Sequence, residues 1–265
     1  MARDGWGGTA RDRVVRALAA PMRHVLAPLV RDAVAAEADR VIRALHEVEF
    51  RSRRDLLAAG ERDAAVGSAR FAAREMPTAR AFHDRTSTLR HGLELAPRGG
   101  MALEFGVFEG RSLEVIAGQR ERRDVYGFDS FEGLPEDYRP HVRTGAFAVG
   151  ALPDVEGAEL VVGWFEETLP GFLATHPGPV DFVHVDGDLY SSAVTVLELV
   201  GPRLAAGSVL VFDEFFNFPG WEEHEFRAWR EWSARTGARG EFVAYTSNDE
   251  QVVVRITEPV RPPAG

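Results

Sequence analysis

Hydrophobic positions follow two different patterns along the chain. From Asp12 to about Ala59, residues Val14, Val15, Leu18, Leu26, Leu29, Val30, Val34, Val41, Ile42, Leu45 and Val48 recur at the three-and-four spacing that lines one side of a helix. Pro21 interrupts this pattern and Pro28 is a second candidate break, because proline removes an amide donor, so two or three helices are expected there. Pro77-Thr78 marks a further break, and Arg80 to Leu95 reads as one more helix. Helices of this kind have no sheet of their own to bury their stripe. They must pack on the main domain, covering a binding pocket, or on a second copy of the chain.

Beyond residue 100 short apolar runs alternate with helical stretches, which predicts a mostly parallel sheet with helices on both faces. The expected strands are Met101 to Phe105, Val125 to Phe128, Glu159 to Val162, Val180 to Val185 and Ser208 to Phe212. After a helix at about Glu222 to Thr236 come Glu241 to Tyr245 and Val252 to Ile256, joined by the polar turn Thr246 to Glu250 as an antiparallel hairpin. The expected fold class is therefore α/β, a seven-stranded, mostly parallel sheet preceded by a helical extension. The expected division is an extension over 1–95, a sheet domain over 96–258 and a proline-rich tail over 259–265. The glycine-rich start, residues 1–9, is expected to be loose.

Composition narrows the chemistry. The 265 residues include no cysteine, which removes disulfides, thiolate metal sites and a cysteine nucleophile. No lysine is present either, so a Schiff base or a lysine general base is excluded. The net charge of −10 is unevenly spread: residues 1–100 carry +5 and the remainder −15. So acidic a body argues against a nucleic-acid partner, which would need a basic footprint there. No apolar run approaches the roughly 20 residues of a membrane span, and early arginines interrupt any signal-peptide core, so a cytoplasmic location without a membrane partner is expected.

The stretch from Leu103 to Ser112 (LEFGVFEGRS) reads as strand, tight turn and helix. Glycines at such a turn allow close backbone approach, and the free amides of the new helix favour an anionic group. Asp129 lies 23 residues beyond Gly106, near the spacing at which an acid reaches a bound ribose. The turn is not G-x-G-x-x-G, and Glu109 within it would repel a pyrophosphate. A nucleoside cofactor without phosphates follows. The other strand ends are also polar: Asp129-Ser130, Gly163-Trp164, Asp186-Gly187-Asp188 and Asp213-Glu214.

The runs EFGVFEGRS, GFDSFEGLP, GWFEETLP, FVHVDGDLYSS and VFDE, in order between residues 104 and 214, resemble the class I S-adenosylmethionine-dependent methyltransferases, with a Rossmann-like sheet. More narrowly they are similar to the macrocin O-methyltransferase family, which methylates sugar hydroxyls on macrolides. The resemblance implies S-adenosylmethionine as cofactor, with Gly106 and Gly110 at its methionine end, Asp129 at the ribose hydroxyls and Trp164 near the adenine. Glu104, Ser112, Ser130 and Gly163 complete the expected cofactor set, Glu104 as a partner for the ammonium. Trp164 and Phe165 are alternatively core, Phe165 more so.

The resemblance also implies Mg²⁺ (or Mn²⁺) at Asp186, Asp213 and Glu214, and hard carboxylates suit such an ion. Glu214 stands where the family usually has an aspartate, and a metal-free acidic cluster is the competing reading. For catalysis the candidates are Asp186 together with His141 and His224, either of which could serve as base in a metal-independent reaction. His184 is expected to be structural. Phe215, Phe216, Phe218 and Trp221 form either an aromatic roof over the pocket or part of the core. The expected function is O-methylation of a sugar or other hydroxyl on a small natural product, by a homo-oligomer. Alternatives are a NAD(P)-dependent oxidoreductase on the same sheet and a non-catalytic partner subunit. Acceptor contacts are expected from segments 60–95, 134–150 and 215–225.

Overall fold

The computed structural model describes the backbone of residues 10–260 and the side chains from residue 26 onward. The loose start expected at 1–9 and the end of the tail, 261–265, lie outside the described residues. Two compact units are present, one ending at Ala59 and one running from Gly60.

The first unit is dominated by α1, Ala10–Arg54, a single helix of 45 residues, after which α2, Leu56–Glu75, begins. The breaks expected at Pro21 and Pro28 do not occur. Seven residues apart, these prolines fall on one side of the helix, so the lost amide donors are confined to that side and the ladder continues on the other. On α1 the residues Leu26, Val30, Val34, Val41, Leu45 and Val48 are all exposed.

The second unit is built on one eight-stranded sheet of order β1-β7-β8-β6-β5-β2-β3-β4. Its strands are β1 (Arg80–Phe82), β2 (Met101–Phe105), β3 (Val125–Asp129), β4 (Glu159–Val162), β5 (Val180–Val185), β6 (Leu204–Phe212), β7 (Arg239–Thr246) and β8 (Val252–Glu258). β2 and β5 are buried along their whole length, as central strands covered on both faces must be. Only β8 runs antiparallel, pairing with β6 and β7, so the expected hairpin is present. Between the strands lie α3 (Arg85–Leu95), α4 (Arg111–Gln119), α5 (Phe165–Thr175), α6 (Tyr190–Val200) and α7 (Glu225–Thr236).

The eighth strand corrects the expectation of one helix over Arg80 to Leu95. Residues Arg80–Phe82 pair in parallel with β7, and the helix starts only at Arg85, where the Asp84 carboxylate accepts from the Ser87 amide at 2.8 Å. Three residues are too few to display a strand's period of two. The helix expected from Glu222 likewise begins at Glu225, after a 3-10 turn at Trp221–Glu223.

Two apolar clusters sandwich the sheet. One includes Leu103, Phe105, Phe128, Leu169, Leu197 and Trp232, and the other Ala102, Leu113, Ile116, Leu89 and Phe182. Phe215, Phe216, Phe218 and Trp221 belong to the first cluster, where Phe215 and Trp221 meet Phe71 of α2. They are core, and the alternative of a pocket roof is set aside. Among the described residues no helix is long and apolar enough to cross a membrane.

The start of β2, which aims the central turn, is pinned by a buried ion pair. Arg120 donates to the carbonyls of Pro97 and Gly100 and sits 3.4 Å from the Asp181 carboxylate, which also accepts from the Gly99 amide at 2.7 Å. Arg120→Ala should destabilise the protein by about 3 kcal/mol, because it strands a buried carboxylate and two carbonyls. Urea unfolding of the variant against the parent measures this.

Candidate active site

The carboxyl ends of the parallel strands surround a cavity of about 670 Å³. One wall begins at Gly106, directly after β2. Gly106 has φ +97°, and a Cβ there would fall 1.7 Å from the Asp186 carbonyl oxygen, so no side chain fits between these strand ends. Asp129, closing β3, lines the cavity and also orders the turn: its Oδ2 accepts from the amides of Val107 at 2.8 Å and Phe108 at 2.9 Å, and its Oδ1 from Phe131 at 2.7 Å. Ser130 and Trp164 line the same wall. Phe165 does so too, although expected as core, while its ring meets Phe105 edge-on at 5.3 Å.

Beneath the opposite wall three central strands are tied by buried polar side chains. Glu104 of β2 is paired in register with His184 of β5, and side chains in register on parallel strands share a face. His184 Nδ1 lies 2.8 Å from Glu104 Oε1, and Nε2 lies 3.4 Å from Asp213 Oδ1 just after β6. Gln251 Nε2 donates to the same Asp213 oxygen at 2.9 Å, and Arg85 Nη1 stands 3.0 Å from Asp213 Oδ2. Burial alone would lower the His184 pKa, but hydrogen bonds to Asp213 and Glu104 hold it well above the ordinary value. Burial pushes Asp213 upward, yet the bond and charge of His184, with Arg85, prevail and hold it at about 2. Glu104 is raised by burial, against the pull of His184.

Above this line the acids are not neutralised. Asp186, Asp188 and Glu214 line the cavity. Burial, then the charge of Asp213, raises the pKa of both Asp186 and Glu214 well above normal. Asp188, in the left-handed region at φ +60°, is pushed to about 7 by burial, with Arg139 opposing. Glu225, fully buried at the start of α7, accepts from the Glu214 amide at 2.9 Å, and its pKa is also raised by burial. The oxygens Glu214 Oε2, Glu225 Oε1 and Glu104 Oε2 are buried without a hydrogen-bond partner.

The expected site residues thus separate into groups. Gly106, Asp129, Ser130, Trp164, Asp186 and Glu214 line one cavity, with Asp213 against its floor. Glu104 is fully buried against His184 and does not reach the wall, which corrects its expected role toward a ligand ammonium. Ser112 stands beside Glu104 and helps lower its pKa. Gly110 caps α4 with φ +83° and packs against Val155 and Pro153, and Gly163 precedes Trp164 with its amide on the Asp129 carbonyl. His141 is exposed in its loop, and the cavity wall takes Val142 instead. His224 lies between the rings of Tyr138 and Phe218 at 5.0 and 5.5 Å, off the wall, its pKa lowered by burial and by Arg139. Neither histidine is placed to take a proton from a molecule in the cavity.

Sequence reasoning missed several wall residues. Arg85 was hidden in a stretch read as plain helix, and it bridges Asp213 to Asp249, with Nε 2.8 Å from the latter. Tyr138 and Arg139 come from the 134–150 segment, where Arg139 lies 3.5 Å from the Phe218 ring centroid and pairs with Glu250 at 2.6 Å. Of the three segments expected to meet the acceptor, 134–150 supplies six lining residues, 60–95 supplies Arg85 and 215–225 supplies none. Asp188 was the legible one, since it sits in the same polar strand end as Asp186.

Comparison with known proteins agrees with this geometry. Residues 103–215, from within β2 to just past β6, match the family described as a methyltransferase domain. The similarity to methyltransferases agrees with the reading of the motifs. A 144-residue stretch is 32% identical to the 8-demethyl-8-(2,3-dimethoxy-alpha-L-rhamnosyl)-tetracenomycin-C 4'-O-methyltransferase of Streptomyces olivaceus, covering 44% of this chain and 53% of that protein. A 160-residue stretch is 27% identical to the demethyldecarbamoylnovobiocin O-methyltransferase of Streptomyces niveus, covering 49% and 58%. The chain therefore spans about half the length of these curated relatives. A solved calicheamicin methyltransferase superposes with a TM-score of 0.53 at 28% identity, over 64% of this chain and 76% of that one.

The Glu104–His184–Asp213 line makes a measurable contribution to the stability of the sheet. His184→Leu leaves two buried carboxylates without their shared partner and should cost about 3 kcal/mol. Because the folded pKa of His184 is raised, the stability it lends is complete below its ordinary value near 6.5 and is lost as pH rises through the folded value. Denaturant unfolding over a pH series should show the gap between parent and variant narrowing in that direction.

Proposed function

We propose that the protein transfers a methyl group from S-adenosylmethionine to a hydroxyl on the sugar of a small natural product. One observation carries this reading: a single cavity joins the Gly106–Asp129–Trp164 wall to the Asp186–Asp188–Glu214 wall. The first suits a ribose diol and an adenine ring, and the second suits a hydroxyl that must lose a proton. The acceptor class follows from the similar proteins, one of which is named for a rhamnosyl tetracenomycin substrate. The enzyme acts as a homo-oligomer.

In the reaction the acceptor oxygen forms a bond to the methyl carbon as the carbon–sulfur bond breaks, and the hydroxyl proton leaves. Asp129 holds the ribose while keeping the Val107–Phe108 turn ordered, so cofactor binding and turn geometry are coupled. Leu134, Tyr138 and Phe147, from the segment that folds over the cavity, exclude water and orient the acceptor. Asp188, half-buried and lining the cavity, receives the proton, a role for which His141 and His224 are misplaced.

Among the described residues Asp186, Asp213 and His184 offer ligand atoms within 4.8 Å of one another, a grouping without the expected Glu214, and Asp186 and Asp213 would be the carboxylates to hold Mg²⁺ or Mn²⁺. The unpartnered Glu214 oxygen, the hard carboxylate donors and the raised pKa values of Asp186 and Glu214 all describe a site with negative charge in excess. An ion held there would supply positive charge that favours loss of the acceptor proton.

Calorimetry should show that S-adenosylmethionine and its demethylated product bind, and that Asp129→Ala weakens both by about 1 to 3 kcal/mol. Unchanged affinity in the folded variant would take Asp129 out of the cofactor site. Asp188→Asn should lower kcat by about a hundredfold or more, with affinity for the demethylated product unaltered. EDTA should abolish turnover and Mg²⁺ restore it. Full activity of the metal-free enzyme would mean that the acids bind no catalytic ion.

A further inference from the structure

Two phenylalanine rings stand partly in solvent beside the acid-lined cavity. Phe108 lies in the turn after β2 and Phe147 in the 134–150 segment; both line the cavity, and they are 40% and 47% exposed. The rings meet edge to face with centroids 5.7 Å apart. Both residues hold left-handed backbone, at φ +49° and +67°, a conformation that bulky side chains rarely adopt, and neither ring belongs to the apolar core. Phe108 is also part of a second hollow of about 420 Å³, made mainly by Ala148, Val149, Ala151 and Pro153 together with Glu109. Because the two hollows share Phe108, apolar surface continues outward from the main cavity.

Charge restricts what can occupy this surface. A diphosphate needs free guanidinium groups, and the arginines nearby already hold carboxylates: Arg85 pairs with Asp213 and Asp249, Arg139 with Glu250, and Arg111 with Glu109 at 2.7 Å. The acids Asp186, Asp188 and Glu214 in the same cavity would repel phosphate oxygens. We infer that the hollow beside Phe108 is a subsite for an apolar ring carried by the acceptor, gripped by Phe108 and Phe147 while the sugar lies deeper, toward the acids. An apolar ring there takes both phenylalanine faces out of water, which a second sugar or a phosphate would not do. The inference rests on the methyl-transfer reading for the sugar end and narrows it: the acceptor is a glycoside of an apolar partner, not a nucleoside diphosphate sugar. A glycosyl transfer onto that partner must then precede methylation.

Calorimetry on the full-length protein, loaded with the demethylated cofactor and titrated with and without Mg²⁺, tests this with methyl α-L-rhamnoside, naphthyl α-L-rhamnoside and thymidine diphosphate rhamnose. The naphthyl glycoside should bind about tenfold tighter than the methyl glycoside or more, and the diphosphate sugar should bind most weakly. Phe147→Ala should remove the gap between the two glycosides. Ala151→Asp, at an exposed position where the new carboxylate disturbs no core, should remove it too while the methyl glycoside and the demethylated cofactor bind as in the parent. Equal affinity of the two glycosides, no binding of the naphthyl glycoside, tighter binding of the diphosphate sugar, or a gap that survives both substitutions would each overturn the inference. Binding is read without turnover, so a failure to methylate any of these compounds would count against the methyl-transfer reading alone.

Discussion

The line from Glu104 through His184 to Asp213 is the interaction on which the rest of the site depends. It runs across β2, β5 and β6 at the level where the parallel strands end, and it uses one imidazole to bridge two carboxyl groups deep in the sheet. Buried charges persist only when paired, and breaking one partner costs more than the pair itself gains. With Asp213 held at about 2, the negative charge next to Asp186 and Glu214 is permanent. Those two acids are then forced toward protonation, or toward a cation, by their neighbour. The excess of negative charge at the cavity floor is therefore built into the sheet.

The opposite wall depends on closeness of backbone. Gly106 lets the β2 strand end approach the Asp186 carbonyl, and the Phe105 carbonyl accepts the Asp186 amide at 2.8 Å. Asp129 then fixes the turn that Gly106 permits. The Gly106–Asp129 wall and the acid wall are consequently one rigid piece of β2, β3 and β5, with no loop between them to vary their spacing. Variation is left to the 134–150 segment, which brings Leu134, Tyr138, Arg139 and Phe147 to the cavity. The lining of the cavity can change there without disturbing the strand ends.

Much of this was legible in the sequence because periodicity and turn chemistry are local. The runs Met101–Phe105, Glu159–Val162 and Val180–Val185 are strands to the residue, and the polar residues following them line the cavity as strand-end logic requires. The sequence also determined, through the absence of lysine and cysteine, which bases and nucleophiles were available. Tertiary structure decided the rest. Arg80–Phe82 became a strand because β7 offered an unpaired edge, and no three-residue run announces such a partner. Glu104 turned inward because His184 faces it across the ladder, a pairing 80 residues distant in sequence. The aromatic run Phe215–Trp221 went to the core because Phe71, far upstream, packs on it. His141 and His224 were reasonable bases by type, but only the folded chain shows that a loop holds one outside the cavity and two aromatic rings hold the other away from it. A side chain's chemistry is written in the sequence; what it faces is set by contacts between segments that the sequence lists far apart.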